Sequence, residues 1–296
     1  MLYLEKFILP KREDVALHYL CVEGDVANGY PFCLFEEKNL KELDFERVTI
    51  FYGGNGSGKT TLLNVIAEKL KLKRLSPFNT SELFNNYVDM CEYKTCIEEW
   101  GRKTVPSNSR IITSDDVFEY MLSVRDNNEY IQEKRSNVAQ DWVQQRYGET
   151  IKFNSMEDYE DVRIQLLARK KSVSRKKYLN RAVEPQTRLH SNGETALMFF
   201  KERLENDTLY CLDEPENSLS PKMQLELVKL LEELARFCDC QFIIATHSPF
   251  LLAINNAKIY DLDSNPVYIK KWWELENTNI YFNFFNEHRH LFEKND

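Results

Sequence analysis

The segment Gly53–Thr60 has the residue types and the spacing of a phosphate-binding loop. It reads GGNGSGKT and fits the pattern G-x-x-x-x-G-K-[ST] without a mismatch. Glycine lets successive backbone N–H groups curl around an anion, the lysine reaches the β- and γ-phosphates, and the threonine hydroxyl ligates Mg²⁺. The sequence therefore predicts a nucleoside triphosphate site, with candidate contacts Gly53, Gly54, Asn55, Gly56, Ser57, Gly58, Lys59, Thr60 and Thr61.

Two later segments place acids and a histidine where apolar runs end. Asp213 and Glu214 follow the run TLYCL, and His247 follows QFIIAT. We expect Asp213 to hold Mg²⁺ together with Thr60, and Glu214 to act as the general base for the attacking water. We expect His247 to face the γ-phosphate. The alternatives are solvated acids in a turn and a purely structural histidine.

A fourth segment, HSNGETALMFF, puts Ser191, Gly193 and Glu194 ahead of an apolar helix. A serine and a glycine before a helix N-terminus favour a bound anion. Because Lys59 already belongs to a complete phosphate site, a second one makes sense if it binds the nucleotide of a second molecule.

Strands and helices must deliver these residues to one place. VTIFY, directly before the glycine loop, has the composition of a buried strand, and the apolar residues after the loop recur at helical spacing. Ser220 and Pro221 begin another helix in the manner of an N-cap and a first helical residue. The order of elements predicts an α/β fold with a mostly parallel sheet.

Composition limits the class of protein. The chain has 296 residues, a net charge of −8 and 43% hydrophobic residues, which is typical of a globular protein that can bury a real core. No run of about 20 apolar residues is present, as a membrane span would require, and the N-terminus lacks a signal-peptide layout. We therefore expect a cytoplasmic location and no membrane partner.

The ordered motifs resemble those of an ATP-binding-cassette (ABC) ATPase head, a P-loop NTPase fold. They correspond to Walker A at 53–60, the signature at 191–194, Walker B at 209–214, the D-loop at 216–219 and the switch histidine at 247. The amino-acid sequence of these motifs, for example LYCLDEPENSLSPKMQL, is similar to that of soluble, stand-alone AAA-family predicted ATPases, which are related to SMC-like and OLD-like heads. The matching stretches cover about a third of the chain.

The resemblance implies how the site works. In such heads two copies form a homodimer that sandwiches two ATP molecules, each with Mg²⁺. Ser191 and Gly193 of one copy would close the nucleotide held by the glycine loop of the other, and Asn217 and Ser218 would cross the interface. Small heads of this kind often act beside an effector protein, for instance in bacterial anti-phage defence.

The sequence departs from transporter cassettes where their two lobes are linked. An acid, Asp115 or Asp116, takes the place of the usual glutamine. We expect Asp115 to contact Mg²⁺ through water; a helix cap is the alternative. Tyr30 and Phe32 are candidates for stacking on adenine.

The motifs at both ends of the chain must meet in space, which predicts two regions. Residues 1–75 and 186–296 would form the ATPase core, and residues 76–185 an inserted, mainly helical lobe. Between 163 and 188 this lobe becomes basic, with Arg163, Arg169, Lys170, Lys171, Arg175, Lys176, Lys177, Arg181 and Arg188. This basic segment contacts nucleic acid or an acidic partner. The alternatives are a solvated helix and arginine contacts to the nucleotide of the partner copy. We expect the aromatic tail, 272–285, to pack in the core or to form a lid.

The leading hypothesis is an ATPase that switches a partner protein or a nucleic-acid-directed effector. Two alternatives remain. The chain could be the nucleotide-binding subunit of a membrane transporter, or an ATP-gated scaffold that hydrolyses slowly.

Overall fold

The computed structural model describes residues 2–11, 30–78, 80–98, 101–102, 104–153, 155–170, 174–183 and 191–293. The chain divides into two compact units, Met1–Phe118 with Asn192–Asp296, and Glu119–Ser191. Residues 76–118, which we expected in the inserted lobe, belong to the first unit. They do so because they supply an edge strand of its main sheet and a helix that packs on its core.

The described part of the chain contains both strands and helices. The strands are β1 (Leu4–Ile8), β2 (Glu42–Asp44), β3 (Val48–Tyr52), β4 (Glu92–Thr95), β5 (Ile97–Glu98), β6 (Gly101–Arg102), β7 (Arg110–Thr113), β8 (Leu209–Asp213), β9 (Gln241–Thr246), β10 (Lys258–Asp261) and β11 (Tyr268–Lys270). The helices are α1 (Phe32–Glu37), α2 (Lys59–Lys69), α3 (Glu82–Met90), α4 (Ser114–Tyr147), α5 (Tyr159–Arg169), α6 (Arg175–Ala182), α7 (Asn192–Arg203), α8 (Pro221–Phe237), α9 (Pro249–Leu252) and α10 (Glu276–Glu287).

The main sheet has six strands in the order β11-β10-β3-β9-β8-β7. Every neighbouring pair is parallel except β10 and β11. All residues of β3, β8 and β9 are buried, which agrees with their continuous apolar composition. The carboxyl ends of these three strands share one edge of the sheet, so the loops that carry the motifs begin side by side.

A smaller antiparallel sheet, β2-β1-β4, shares the hydrophobic core with the main sheet. The fully buried Gln241 at the start of β9 joins the two sheets. Its Oε1 accepts hydrogen bonds from the backbone N–H groups of Tyr3 and Leu4 at 2.8 and 2.9 Å, and its Nε2 donates to the Leu4 carbonyl at 2.8 Å. One amide side chain thus satisfies backbone groups that the β1 ladder leaves unpaired.

Replacing Gln241 with methionine should lower the free energy of unfolding by about 3 kcal/mol, because two buried N–H groups and a carbonyl lose their partners. Urea denaturation followed by circular dichroism measures the change. Gln132→Met, at an exposed position, is the matched control. An unchanged midpoint for Gln241→Met would show that the amide does not hold the sheets together.

The second unit contains most of α4 together with α5 and α6. Arg169 ties the end of α5 to the segment after α4. Its guanidinium donates to the carbonyls of Gly148 at 2.8 Å and Gln145 at 3.2 Å, and to the Thr150 hydroxyl at 2.8 Å. At least one cation of the basic segment therefore has a structural role. Lys171, Arg188 and the side chain of Arg181 lie outside the described residues.

The aromatic side chains of the tail do not pack in the core, so this part of our expectation is wrong, whereas the lid stays a prediction. Leu275 and Thr278 are buried, but the following turns of α10 expose Tyr281, Phe282, Phe284 and Phe285. The buried anchor is short because only the first turn of α10 reaches the sheet, where the Asn277 N–H donates to the Tyr52 hydroxyl at 3.1 Å.

Candidate functional site

The glycine loop connects β3 to α2, as the sequence predicts. Gly56 and Gly58 have φ angles of 82° and 98°, a left-handed conformation that favours glycine. Gly53 is required for a different reason. A Cβ at this position would lie 2.5 Å from the Ser57 hydroxyl oxygen, which itself is buried without a hydrogen-bond partner in the described part of the chain. The tight loop therefore needs bare backbone at its start as well as in its middle.

Lys59 and Thr60 lie at the start of α2 and reach in different directions. The Lys59 ammonium group donates to the carbonyls of Gly53 at 2.8 Å and Gly54 at 3.0 Å, so it lies over the loop. The Thr60 hydroxyl donates to Oδ1 of Asp213 at 3.1 Å. The structure thus brings the predicted Mg²⁺ ligands Thr60 and Asp213 together, from segments 153 residues apart.

The Asp213 carboxyl group is strongly perturbed. Burial raises its pKa to about 6, and repulsion from Glu214 and Glu216 adds to the effect. The hydrogen bond from Thr60 and the charge of Lys59 oppose the rise. A buried carboxylate beside a hydroxyl oxygen fits Mg²⁺, which uses few protein oxygens and completes its shell with phosphate and water. A divalent cation there would stabilise the ionised form that burial disfavours.

Glu214 leaves the strand in an unusual backbone conformation. Its φ is 45°, and its N–H donates to the Ala245 carbonyl at 2.9 Å. Its Oε1 lies 3.8 Å from the Lys59 ammonium nitrogen and 3.8 Å from Nδ1 of His247. The structure therefore places the expected base between the expected phosphate-binding cation and the expected switch histidine.

Glu216 is the first residue of the D-loop, and our sequence analysis gave it no role of its own. Its buried Oε1 accepts hydrogen bonds from the Thr246 hydroxyl at 2.6 Å, the His247 N–H at 3.0 Å and the Ser248 N–H at 3.2 Å. It therefore fixes the backbone that carries His247 to the segment that follows Glu214. The one sequence signal was a second acid, two residues after Glu214, in a stretch leaving a buried strand.

Lys38 and Asp263 hold the glycine loop from outside, and sequence reasoning missed both. The Lys38 ammonium group donates to the Ser57 carbonyl at 2.8 Å and also to the Leu262 carbonyl. The Gly54 N–H donates to Asp263 at 2.8 Å. Burial lowers the pKa of Lys38. Asp263 follows the apolar run KIYDL, a fourth strand end, whereas no local pattern identifies Lys38.

The signature residues lie at the start of α7. A Cβ built on Gly193 would be 3.4 Å from the Ser218 carbonyl oxygen, so the signature helix packs against the D-loop of the same chain. Glu194 and Ser191 are exposed. Ser218 has a φ of 68°, the left-handed conformation, which lets the D-loop turn back beneath this helix.

Two peripheral candidates have specific positions. Asp115 is exposed in the first turn of α4, directly after the strand whose Thr113 is the register partner of Asp213. Its neighbour Asp116 is buried and caps the helix, since its carboxylate accepts from the Thr113 N–H at 2.8 Å and from the Ser76 N–H at 2.9 Å. The capping alternative thus describes Asp116.

Tyr30 and Phe32 were the candidates for stacking on adenine. The Tyr30 hydroxyl lies 2.6 Å from the Thr61 hydroxyl oxygen, and the Phe32 side chain lies outside the described residues.

A family model described as "ABC transporter" matches residues 41–217, more than half of the chain. The chain belongs to the ABC ATPase family. This match confirms the predicted family, and the mostly parallel sheet with its helices confirms the predicted α/β fold class. Members of this family bind and hydrolyse ATP. A second model, described as "AAA domain, putative AbiEii toxin, Type IV TA system", matches residues 187–253.

Several individual proteins are similar to this ABC ATPase chain. The petrobactin import ATP-binding protein YclP of Bacillus subtilis is 24% identical over an alignment of 225 residues, and the match covers 72% of this chain and 74% of YclP. The Smc head domain of Pyrococcus furiosus covers 98% of this chain and all of its own at 13% identity, with a TM-score of 0.42. The dimeric cassette MJ0796 bound to ADP and Pi covers 78% of this chain and 88% of its own at 14% identity, with a TM-score of 0.35.

No helix in the described part of this ABC ATPase chain combines the length and the apolar composition that crossing a bilayer requires.

Asp213→Asn should stabilise the protein in the absence of nucleotide and divalent metal. The pKa of Asp213 is about 6 in the folded state against an ordinary value of 3.8, so its stabilising contribution is complete below pH 3.8 and is lost as pH rises through 6. The neutral asparagine avoids that loss. At pH 7.5 we expect a gain of up to about 3 kcal/mol, which shrinks as pH falls through 6 and disappears near pH 4.

Urea denaturation at several pH values, in the presence of EDTA, measures this difference. Asp89→Asn, at an exposed position on α3, is the matched control. A gain for Asp213→Asn that does not vary with pH would show that removal of a buried charge is not its cause.

Proposed function

We propose that this protein is a Mg²⁺-dependent ATPase that closes as a homodimer around two ATP molecules. The observation that carries the proposal is the position of Glu214, whose Oε1 lies 3.8 Å from both the Lys59 ammonium nitrogen and His247 Nδ1. A lysine over a glycine loop marks where the terminal phosphates bind. A carboxylate beside it is placed to take a proton from the water that attacks the γ-phosphate.

We assign the other residues roles that are compatible with their positions. The backbone of residues 53–61 surrounds the phosphates, and Thr60 and Asp213 hold Mg²⁺, which supplies charge neutralisation when bound. Asp115 contacts the metal through water, and His247 binds the γ-phosphate. Glu216, Lys38 and Asp263 keep these groups in place through the hydrogen bonds described above.

The dimer completes each nucleotide site from the second copy. Ser191, Gly193 and Glu194 of one copy close over the ATP held by the glycine loop of the other. Because Gly193 packs against Ser218, the signature helix and the D-loop form one surface for this contact. Hydrolysis removes the γ-phosphate that bridges the copies and lets them part.

The cycle switches a partner in the cytoplasm, either an effector protein or a nucleic-acid-directed effector, as part of an antiviral defence system. The match of residues 187–253 to a toxin–antitoxin AAA domain supports this role. The alternative role, the ATPase subunit of a membrane transporter, has the 24% identity with YclP as its support and is the less favoured of the two. Co-purification with membranes would select the transporter role, and recovery with a non-membrane effector would select the switch.

Glu214→Gln should lower kcat by at least about 100-fold while ATP binding is retained, because the general base is lost and the phosphate contacts stay. Phosphate release and equilibrium binding of a fluorescent ATP analogue measure the two effects. Glu233→Gln, at an exposed position on α8, is the control and should match the wild type. Equal rates for the two variants would remove Glu214 as the base. Slow turnover by the wild type itself would favour the ATP-gated scaffold.

Mixing two inactive variants should restore activity if the site is shared between copies. Lys59→Ala destroys the glycine-loop half and Ser191→Arg the signature half. A mixed dimer then has one intact site out of two. With random pairing, half of the dimers are mixed, so we expect about a quarter of the wild-type rate. A mixture that stays as inactive as its parts, although mixed dimers form, would show that each copy builds its site alone.

A further inference from the structure

The second unit contains a cavity of about 400 Å³ between α4 and α6. Among the described residues its lining consists of three cations, one amide and one aliphatic side chain, namely Arg135, Arg175, Lys176, Asn180 and Leu179. The chain as a whole has 47 acids against 39 lysines and arginines, so a cavity whose described lining carries cations and no carboxylate is a local reversal of charge.

Two arginines of the second unit that lie outside this cavity have partners within the protein. Arg163 forms an ion pair with Glu160 at 2.9 Å, and Arg169 donates to two backbone carbonyls and a hydroxyl. Arg135, by contrast, has a buried Nε with no hydrogen-bond partner in the described part of the chain. A buried guanidinium donor without an acceptor is costly, and an anionic ligand in the cavity would relieve that cost.

Helix α6 presents the other two cations on the wall of the cavity. Ser174 caps the helix by accepting from the Lys177 N–H at 3.3 Å, which starts the helix directly at Arg175. Leu179 and Asn180 follow Arg175 and Lys176 by one helical turn and therefore share their face. Arg175 and Lys176 are exposed, so they are available to a ligand that enters from solvent.

The chemistry of the lining identifies a phosphate ligand. The planar guanidinium of arginine matches phosphate oxygens in a bidentate manner, lysine adds a point charge, and an asparagine amide adds a neutral donor. Leu179 offers an apolar contact to a sugar or a base. Two more exposed cations, Lys170 and Lys177, lie close to these residues in the sequence.

We propose that this cavity, formed by Arg135, Arg175, Lys176, Leu179 and Asn180, is a binding site for the phosphodiester backbone of a nucleic acid. Recognition is independent of sequence, since the lining contacts phosphates through charge. The site belongs to the second unit and does not use the glycine loop. The proposed nucleic-acid binding can therefore be tested independently of the proposed ATPase activity.

The test measures fluorescence anisotropy of labelled single-stranded DNA, RNA and duplex DNA without ATP, over a range of salt concentrations. Neutralising three cations in Arg135→Gln/Arg175→Gln/Lys176→Gln should weaken binding at least about tenfold. It should also reduce the slope of log K against log salt by about 2 for a single strand, because three phosphate contacts are lost. The double variant Arg175→Gln/Lys176→Gln, changed only on the exposed helix, should show about two thirds of that loss of slope and guards against misfolding through Arg135.

The control removes two positive charges at another place, as many as the double variant removes. Lys201→Gln/Lys229→Gln changes two exposed lysines of the first unit and should bind nucleic acid as the wild type does. Basal ATPase activity should be unchanged in all three variants, which separates failure of this site from failure of the proposed ATPase. Three outcomes overturn the proposal: no binding of any nucleic acid by the wild type at low salt, equal losses in the control and the cavity variants, or displacement of nucleic acid by stoichiometric pyrophosphate. The last would assign a small phosphate compound instead.

Discussion

Parallel pairing of β3, β9 and β8 is the constraint on which the rest of the structure depends. The register sets Tyr52 beside Thr246 and Ala245 beside Asp213, so that the glycine loop, the histidine segment and the acidic segment all begin at one edge. The parallel ladders pair every residue of β3 and of β8 with a residue of β9, which aligns the carboxyl ends of the three strands. Residues far apart in the chain meet because of it, such as Thr60 with Asp213 and Lys59 with Glu214.

The sequence was sufficient for the strands and the loops that carry chemistry, because glycine spacing and strand-ending acids are local patterns. It was insufficient for the residues that support them. Glu216, Lys38 and Asp263 act through contacts between segments that are far apart, and no periodicity marks such a contact. The acids after β7 show the same limit. Only the structure distinguishes Asp116, which caps a helix, from the exposed Asp115.

The charged side chains around the glycine loop contact one another and the loop itself. Lys59 contacts loop carbonyls, and Thr60 donates to Asp213, so both side chains are satisfied within the protein. A nucleotide with its metal must replace these contacts with stronger, charge-assisted ones. The buried Asp213 and the nearby Glu214 repel each other, which favours a divalent cation beside them. Under the proposed function, the residues that organise the loop would also favour a phosphate that carries a metal.

The tryptophans that precede helix α10 give the protein an intrinsic fluorescence signal for events at this surface. Trp272 and Trp273 stand in an edge-to-face pair just before this helix, and both are exposed, whereas Trp142 in the second unit is buried. Indoles in water emit at longer wavelengths than indoles in an apolar environment. Any molecule that covers the aromatic side chains of α10 and this pair would therefore shift the emission to the blue, and the native protein would report the event without an attached dye.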